Sequence, residues 1–330
     1  MDVRRVQITG GSSFMITLPK EWANSVELKK NDTVGVRAQP DGTLLLFPKN
    51  SIPSPKRSTK VIDASDMRDH ALFYRQLVGA YIAGHSMLLI KSVQPMPQEL
   101  VSVVTNFVQT AIGLEMIEAD DSHILIANLI EHDALDPMKT VERMASLVKD
   151  MMSNLYEAAF TGDHEKINNM ASKDTEVDRI FWLISRQHDI FSKDGAVSAD
   201  KFSMNEMDHY LFISRILEGI GDTVVNMSEC LTSVEKRKDA GDVDKNARRS
   251  GQSMIEILSK TMKGWADKDI MLANQAMEEA EKIIGDADKA LFKTNRTAAS
   301  PISEIISFVS RRIAEYCRTI DEFTFNLAMK

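Results

Sequence analysis

Four carboxylates in this chain share one spacing. Asp174 and Asp178 stand in KDTEVDRI (173–180), and Glu218 and Asp222 in SRILEGIGDTVVN (214–226). On an α-helix, residues i and i+4 lie one above the other on the same face. Two such helices packed together would aim four carboxylates at one another. Such groups repel unless a cation holds them, and an all-oxygen donor set suits hard or borderline cations. One pair alone is ordinary on a solvated helix face. Two pairs, the second inside an apolar stretch, favour ion binding. Gly219 and Gly221 each cost ~1 kcal/mol of helix propensity relative to Ala, and their small size lets another helix or a ligand come close. No His or Cys accompanies these motifs, so the donors favour Mg²⁺, Mn²⁺ or Fe over Zn²⁺.

No other residue set competes as a reactive centre. The seven histidines show no HxxxH or HExxH spacing. His188 and His209 fall on helical patterns and read as surface or boundary residues. Cys230 and Cys317 form no disulfide framework and read as buried small hydrophobes, which fits a reducing cytoplasm. Gly10-Gly11-Ser12-Ser13 lacks the GK[ST] ending of a phosphate-binding loop and reads as a hairpin turn. No Ser/His/Asp or Cys/His constellation can be assembled, so the expectation is a protein that is not an enzyme. A metal-dependent phosphohydrolase using the carboxylate cluster stays as an alternative.

The elements that must position these residues fall into distinct stretches. Residues 1–48 read as short strands and turns, too thin to bury a core alone, so a dimer is expected. Residues 49–60, KNSIPSPKRSTK, have two prolines and no acid and read as a linker. Residues 61–133 read as a small α+β unit, with helices over 66–83 and 98–110, a strand over 85–90 and a hairpin around Asp120-Asp121-Ser122. From Pro137 onward the pattern is helical, with helices at 137–161, 163–192, 202–237, 242–266, 268–293 and 301–329. Asp163, Asp242 and Ser300-Pro301 supply start signals. Six helices suggest two repeats of three, 137–240 and 241–330. In the second repeat Arg311 stands where Glu218 stands in the first, and Glu315 where Asp222 stands. Glu278, Glu279 and Glu281 are the acids of the preceding helix. A degenerate second site of Glu278, Glu281 and Glu315 follows, with Arg311 also able to pair with Glu315.

Net charge is −8, yet residues 1–60 carry +5 and the remainder −13. A basic head on an acidic body suits a polyanion such as DNA. Arg4, Arg5, Lys20, Lys29 and Lys30 are the phosphate-contact candidates. Apolar runs fall well short of the ~18 residues that span a bilayer. No signal-peptide pattern follows Met1, so a cytoplasmic protein is expected.

Two resemblances arise from these residues. Residues 137–330 resemble the PhoU family of phosphate-uptake regulators through Asp174-x3-Asp178 and Arg215-x2-Glu218-x-Ile220-Gly221-Asp222, followed by Asn226. The resemblance implies two three-helix bundles and a metal cluster, iron or zinc in some members, held by Asp174, Asp178, Glu218 and Asp222. Residues 4–48 resemble the AbrB/MazE/SpoVT swapped-hairpin domain through GGSSFMITLPKEW (10–22) and LKKND (28–32). That resemblance implies a homodimer whose intertwined strands make a small DNA-binding barrel. Asn31 stands where the family has Gly, and Asn also tolerates positive φ. The joining of the two resembles an archaeal arrangement.

The expected architecture is therefore multidomain: a dimeric swapped-hairpin β barrel, a small α+β unit, and an all-α PhoU-like pair of three-helix bundles. The expected function is a DNA-binding regulator of phosphate uptake with a metal-binding body. The alternative is an adaptor that contacts a phosphate transporter or its sensor without binding DNA.

Overall fold

The computed structural model describes residues 3–11, 13–38, 42–48, 58–130, 134–161, 163–194, 202–232, 241–292 and 301–329. The turn at Pro40-Asp41, most of the expected linker (49–57) and the Ser300 cap lie outside them. The chain divides into two compact units, Met1–Arg57 with Asp194–Lys201, and Ser58–Lys193 with Phe202–Lys330.

In the first unit, β1 (Gln7–Thr9) pairs antiparallel with β2 (Ser13–Met15), and β3 (Val34–Ala38) with β4 (Leu44–Pro48). Gly10 (φ 64°) and Gly11 (φ 85°) take left-handed conformations between β1 and β2 that side chains resist. One helix, α1 (Lys20–Ser25), follows. Asn31 adopts φ 74°, as its type allows, and the Asp32 carboxylate accepts from the Lys29 N–H at 2.7 Å. Pro48 is the only buried residue among those described in this unit. Ile8 and Phe14, opposite each other in register, are 68% and 77% exposed. The described strands form two separate two-stranded sheets, not a closed barrel.

The second unit opens with an α+β part: β5 (Thr59–Asp63), α2 (His70–Ile82), β6 (Met87–Lys91), α3 (Gln98–Thr110), β7 (Leu114–Ala119) and β8 (His123–Asn128). The sheet order is β5-β6-β8-β7, with β5 parallel to β6 and the other pairs antiparallel. Ile62, Leu88, Ile90, Ile124 and Ile126 bury one face of the sheet with Phe73, Leu77 and Phe107 of the helices. Asp69 caps α2 by accepting from the Leu72 N–H, and Asp120 closes the β7–β8 turn by accepting from the N–H groups of Ser122 and His123. Strand β5 was not legible in the sequence. Only Val61 and Ile62 mark it, and its parallel partner lies across the whole of α2.

The rest is helical: α4 (Pro137–Thr161), α5 (His164–Asn168), α6 (Met170–Asp194), α7 (Met204–Thr232), α8 (Gly241–Asp267), α9 (Ile270–Phe292) and α10 (Pro301–Ala328). The helix expected at 163–192 is two. Asp163 caps α5 through the N–H groups of Glu165 and Lys166, and the chain breaks at Asn169, where Asn side chains compete for backbone bonds. Helices α8, α9 and α10 pack on one another, α4 packs on α7 and α8, and α10 packs on α7. One continuous core results, through Met151, Val177, Leu217, Ile220, Leu258 and Ile313. Cys317 is in that core, but Cys230 is exposed near the end of α7, correcting the expectation for it. His209 is buried rather than at the surface, its ring edge-on to Phe323 at 5.2 Å. No described helix is long and apolar enough to cross a membrane.

Helix α6 also fastens the α+β part to the bundle. Buried Arg186 donates to the carbonyl oxygens of Tyr81 and His85, and its guanidinium lies 4.9 Å from the centre of the Tyr81 ring. Lys193 donates to the Ala83 carbonyl at 2.8 Å. Carbonyls at and just beyond the C-terminus of α2 thus accept from cations of another helix, the Tyr81 oxygen accepting from the Gly84 N–H as well.

Candidate metal centre

Helix α6 supplies Asp174 and Asp178, and α7 supplies Glu218 and Asp222, one turn apart in each case. The glycines of α7 set the distances. A Cβ on Gly221 would stand 3.1 Å from the Asp174 Oδ1 and 3.5 Å from Val177, so the missing side chain is the space that α6 occupies. A Cβ on Gly219 would stand 2.8 Å from the Tyr316 hydroxyl of α10. Both glycines let a neighbouring helix close in. Asp174, Asp178 and Glu218 are half-buried and Asp222 is exposed, so the group opens to solvent on one side.

The electrostatics record the convergence. Burial, then the charge of Asp222, pushes Asp174 up to about 6. Burial, then Asp174, Glu218 and Asp222, pushes Asp178 up to about 7, against a smaller pull from Arg215. Burial raises Glu218 as well, opposed by Arg215. The Asp174 Oδ1 is buried and has no hydrogen-bond partner. A buried acceptor without a donor is costly and calls for an ion, a proton or water.

These residues fit an oxygen-preferring cation by donor type, by mutual repulsion and by the orphaned Asp174 oxygen. They are not gathered as a finished cage: among the described residues no three His, Cys, Asp or Glu side chains are placed to hold a metal ion. Arg215 explains part of this. Its Nη1 donates to the Glu218 Oε1 at 2.8 Å while the guanidinium lies 5.4 Å from the Phe181 ring centre. A cation taken up by all four carboxylates would displace that contact. Arg215 belongs to the motif, but its role as internal counter-charge was not read from the sequence. The i,i+3 spacing to Glu218 was the available signal.

The second repeat is filled differently. Arg311 of α10 donates to the Asp288 Oδ1 at 2.6 Å and to the Glu315 Oε1 at 2.7 Å. The Arg311–Glu315 pair was expected. The acid of α9 that meets it is Asp288, not Glu278 or Glu281. Those two are exposed, and Glu278 accepts from the Asn274 amide on its own helix. Glu281 and Asp288 are seven residues apart, ~10 Å along a helix, so pairing at Asp288 leaves the earlier acids far down α9. Glu279 is held by Lys260. A guanidinium thus sits between α9 and α10.

The other sequence candidates lie in the first unit. Arg4, Arg5, Lys20, Lys29 and Lys30 are all exposed. They share that unit with exposed Val3, Val6, Ile16 and Leu44.

Residues 141–231, which contain all four carboxylates, match the PhoU domain family, and residues 7–54 match the family described as antidote-toxin recognition MazE, bacterial antitoxin. Among similar proteins is a phosphate-specific transport system accessory protein PhoU homolog of Caulobacter vibrioides, 30% identical over 100 residues, covering 29% of this chain and 41% of that protein. A protein of the same description from Borreliella burgdorferi is 27% identical over 153 residues, covering 43% of this chain and 65% of its own length. The chain therefore spans less than two thirds of either relative. Residues 141–231 are a PhoU domain, and a MazE-type antitoxin domain precedes it in the same chain.

Proposed function

We propose that this chain regulates phosphate uptake, with a cation-binding helical body and a DNA-binding head, and is not an enzyme. The observation that carries the reading is the convergence of Asp174, Asp178, Glu218 and Asp222 inside the matched PhoU domain, with a buried Asp174 oxygen lacking any donor. A cation there, Fe, Mn²⁺, Mg²⁺ or Zn²⁺, would be held by these four carboxylates. It would neutralise their repulsion and offer a positive point for an anion such as phosphate. Carboxylates alone repel phosphate.

On this reading the chain divides into a head (1–48), a linker (49–60, whose last two residues already belong to β5), an α+β unit (61–133) and two three-helix repeats (137–240 and 241–330). The head works as a homodimer. Among its described residues this unit buries one, and Ile8 and Phe14 are mostly exposed, so those residues form no core of their own and a second copy would cover them. Closure of its strands into one barrel belongs to that dimer. Arg4, Arg5, Lys20, Lys29 and Lys30 then face the DNA backbone twice over. The test has two arms on the full-length protein. Elemental analysis should find metal in the wild type and much less in Asp174→Ala/Asp222→Ala. Duplex binding should weaken as salt rises and differ between metal-loaded and metal-free protein.

A second reading follows from the relatives, which are accessory proteins of a phosphate-specific transport system. In it the head only dimerises, and the body contacts a transporter or its sensor. Absence of salt-sensitive binding to any duplex by the full-length dimer selects this reading.

A further inference from the structure

The sheet of the α+β part ends at β5, and no described strand pairs with its outer edge. Helix α2 packs on this sheet. Between α2 and β5 runs a cavity of about 500 Å³, lined on one side by the four successive residues Lys60 to Asp63 and on the other by Gln76, Gly79, Ala80 and Ala83, with His85 at one end. The helix residues follow the i, i+3, i+4, i+7 pattern of one face, ~10 Å long. The strand residues span a similar ~10 Å. The cavity is thus a channel between a strand edge and a helix stripe, as long as three or four residues of extended chain.

Gly79 is the telling residue. It lies inside α2 with no left-handed φ, and a Cβ there would meet nothing within 4 Å. Glycine at such a position costs ~1 kcal/mol of helix stability relative to Ala, with no internal neighbour to require it. Its neighbours Ala80 and Ala83 are also small, so the helix wall is kept low beyond Gln76. The charges are of both signs. Lys60 and His85 lie at one end and Asp63 at the other. Arg186 and Lys193, the other cations near His85, already cap the carbonyls of α2. A small anion would use one end of this channel and leave the rest empty.

We propose that the β5–α2 channel binds an extended peptide segment of a partner protein by strand addition. The segment's backbone pairs with the outer edge of β5, and an apolar side chain enters over Gly79. An acidic side chain meets Lys60 and His85, and a basic one meets Asp63. Backbone pairing at an open edge supplies affinity, and the alternate side chains supply selectivity.

The test uses full-length protein and two fluorescein-labelled peptides, acetyl-Ser-Glu-Val-Leu-Val-Lys-Ser-amide and its reversed sequence, read by fluorescence anisotropy. One chain direction should bind. Gly79→Leu, which has room for its side chain and favours the helix, should weaken that binding at least tenfold. Gly79→Ala should change it less than threefold. N-methylation of the central peptide amides should abolish it, and hydrogen exchange in residues 59–63 should slow only with the unmethylated peptide. The proposal is overturned if neither peptide binds at millimolar concentration, or if Gly79→Leu binds as tightly as wild type. Equal binding of the N-methylated peptide, or displacement by AMP at concentrations matching the peptide, overturns it too. The last result would assign the channel to a small anionic ligand.

Discussion

The Oδ1 of Asp174 lies 3.1 Å from where a Cβ on Gly221 would sit, so the carboxylate of α6 enters the space left by a glycine of α7. Gly221→Ala should push Asp174 aside by a few tenths of an ångström. The gain in helix propensity, ~1 kcal/mol, offsets the crowding, so stability stays near wild type. Metal affinity should fall about tenfold, because the displaced ligand is misplaced at every occupancy. Metal titration beside a thermal melt checks the pair of outcomes, and a variant with unchanged affinity would show that Asp174 is not a ligand.

Asp178→Asn should stabilise the metal-free protein while lowering its metal content. Asp178 is repelled by three carboxylates, and Arg215 is the cation that opposes them. Removing its charge relieves that repulsion, by about 1–2 kcal/mol in a half-buried site. Urea unfolding in chelator and in added metal should give opposite signs for the change. The same sign in both would separate the carboxylates from cation binding.

A second buried acid has no counter-charge among the described residues. Asp321 in α10 is fully buried; its Oδ2 accepts from the Thr261 hydroxyl at 3.1 Å, and its Oδ1 has no partner. Burial pushes it up to about 7. A carboxyl raised on folding favours the native state while protonated. That advantage is complete below the unfolded value, ~4, and is lost as pH rises to about 7. Wild-type stability should therefore fall between about pH 4 and about pH 7. Asp321→Asn should flatten the fall by an amount on the order of a few kcal/mol. Parallel pH profiles for the two proteins would refute this.

Arg186→Ala should loosen the α+β part from the bundle. The substitution removes the Arg186 donor from the partly buried His85 carbonyl and one of two donors from the Tyr81 carbonyl, which keeps the Gly84 N–H, and it removes a cation over the Tyr81 ring. The expected cost is ~3 kcal/mol. Hydrogen exchange should rise first at the end of α2 and in β6, with α8 to α10 unaffected. Uniform change across the chain would mean that Arg186 supports the whole fold instead.

In the head, Lys30→Ala should reduce the salt dependence of duplex binding by ~1.8 in log K per log salt, since each residue of a dimer meets two phosphates at ~0.9 each. A slope unchanged in Arg5→Ala and Lys30→Ala alike would remove these residues from the interface.

Period and punctuation carried much of this protein in one dimension. The i,i+4 carboxylates, the Gly219 and Gly221 gaps, the Pro301 helix start and the Asn31 turn are local, because helix geometry and backbone sterics act within a few residues. Local rules say where a side chain points on its own helix; they do not say which residue of another helix it meets. The pairing of Arg311 with Asp288 rather than with Glu278 or Glu281 depends on how α9 slides along α10. The strand β5 depends on a parallel partner beyond α2, and the channel beside it exists only once helix and sheet edge are packed. Burial of His209 and exposure of Cys230 follow from the same cause: on a helix that meets several neighbours, packing chooses which face is inside.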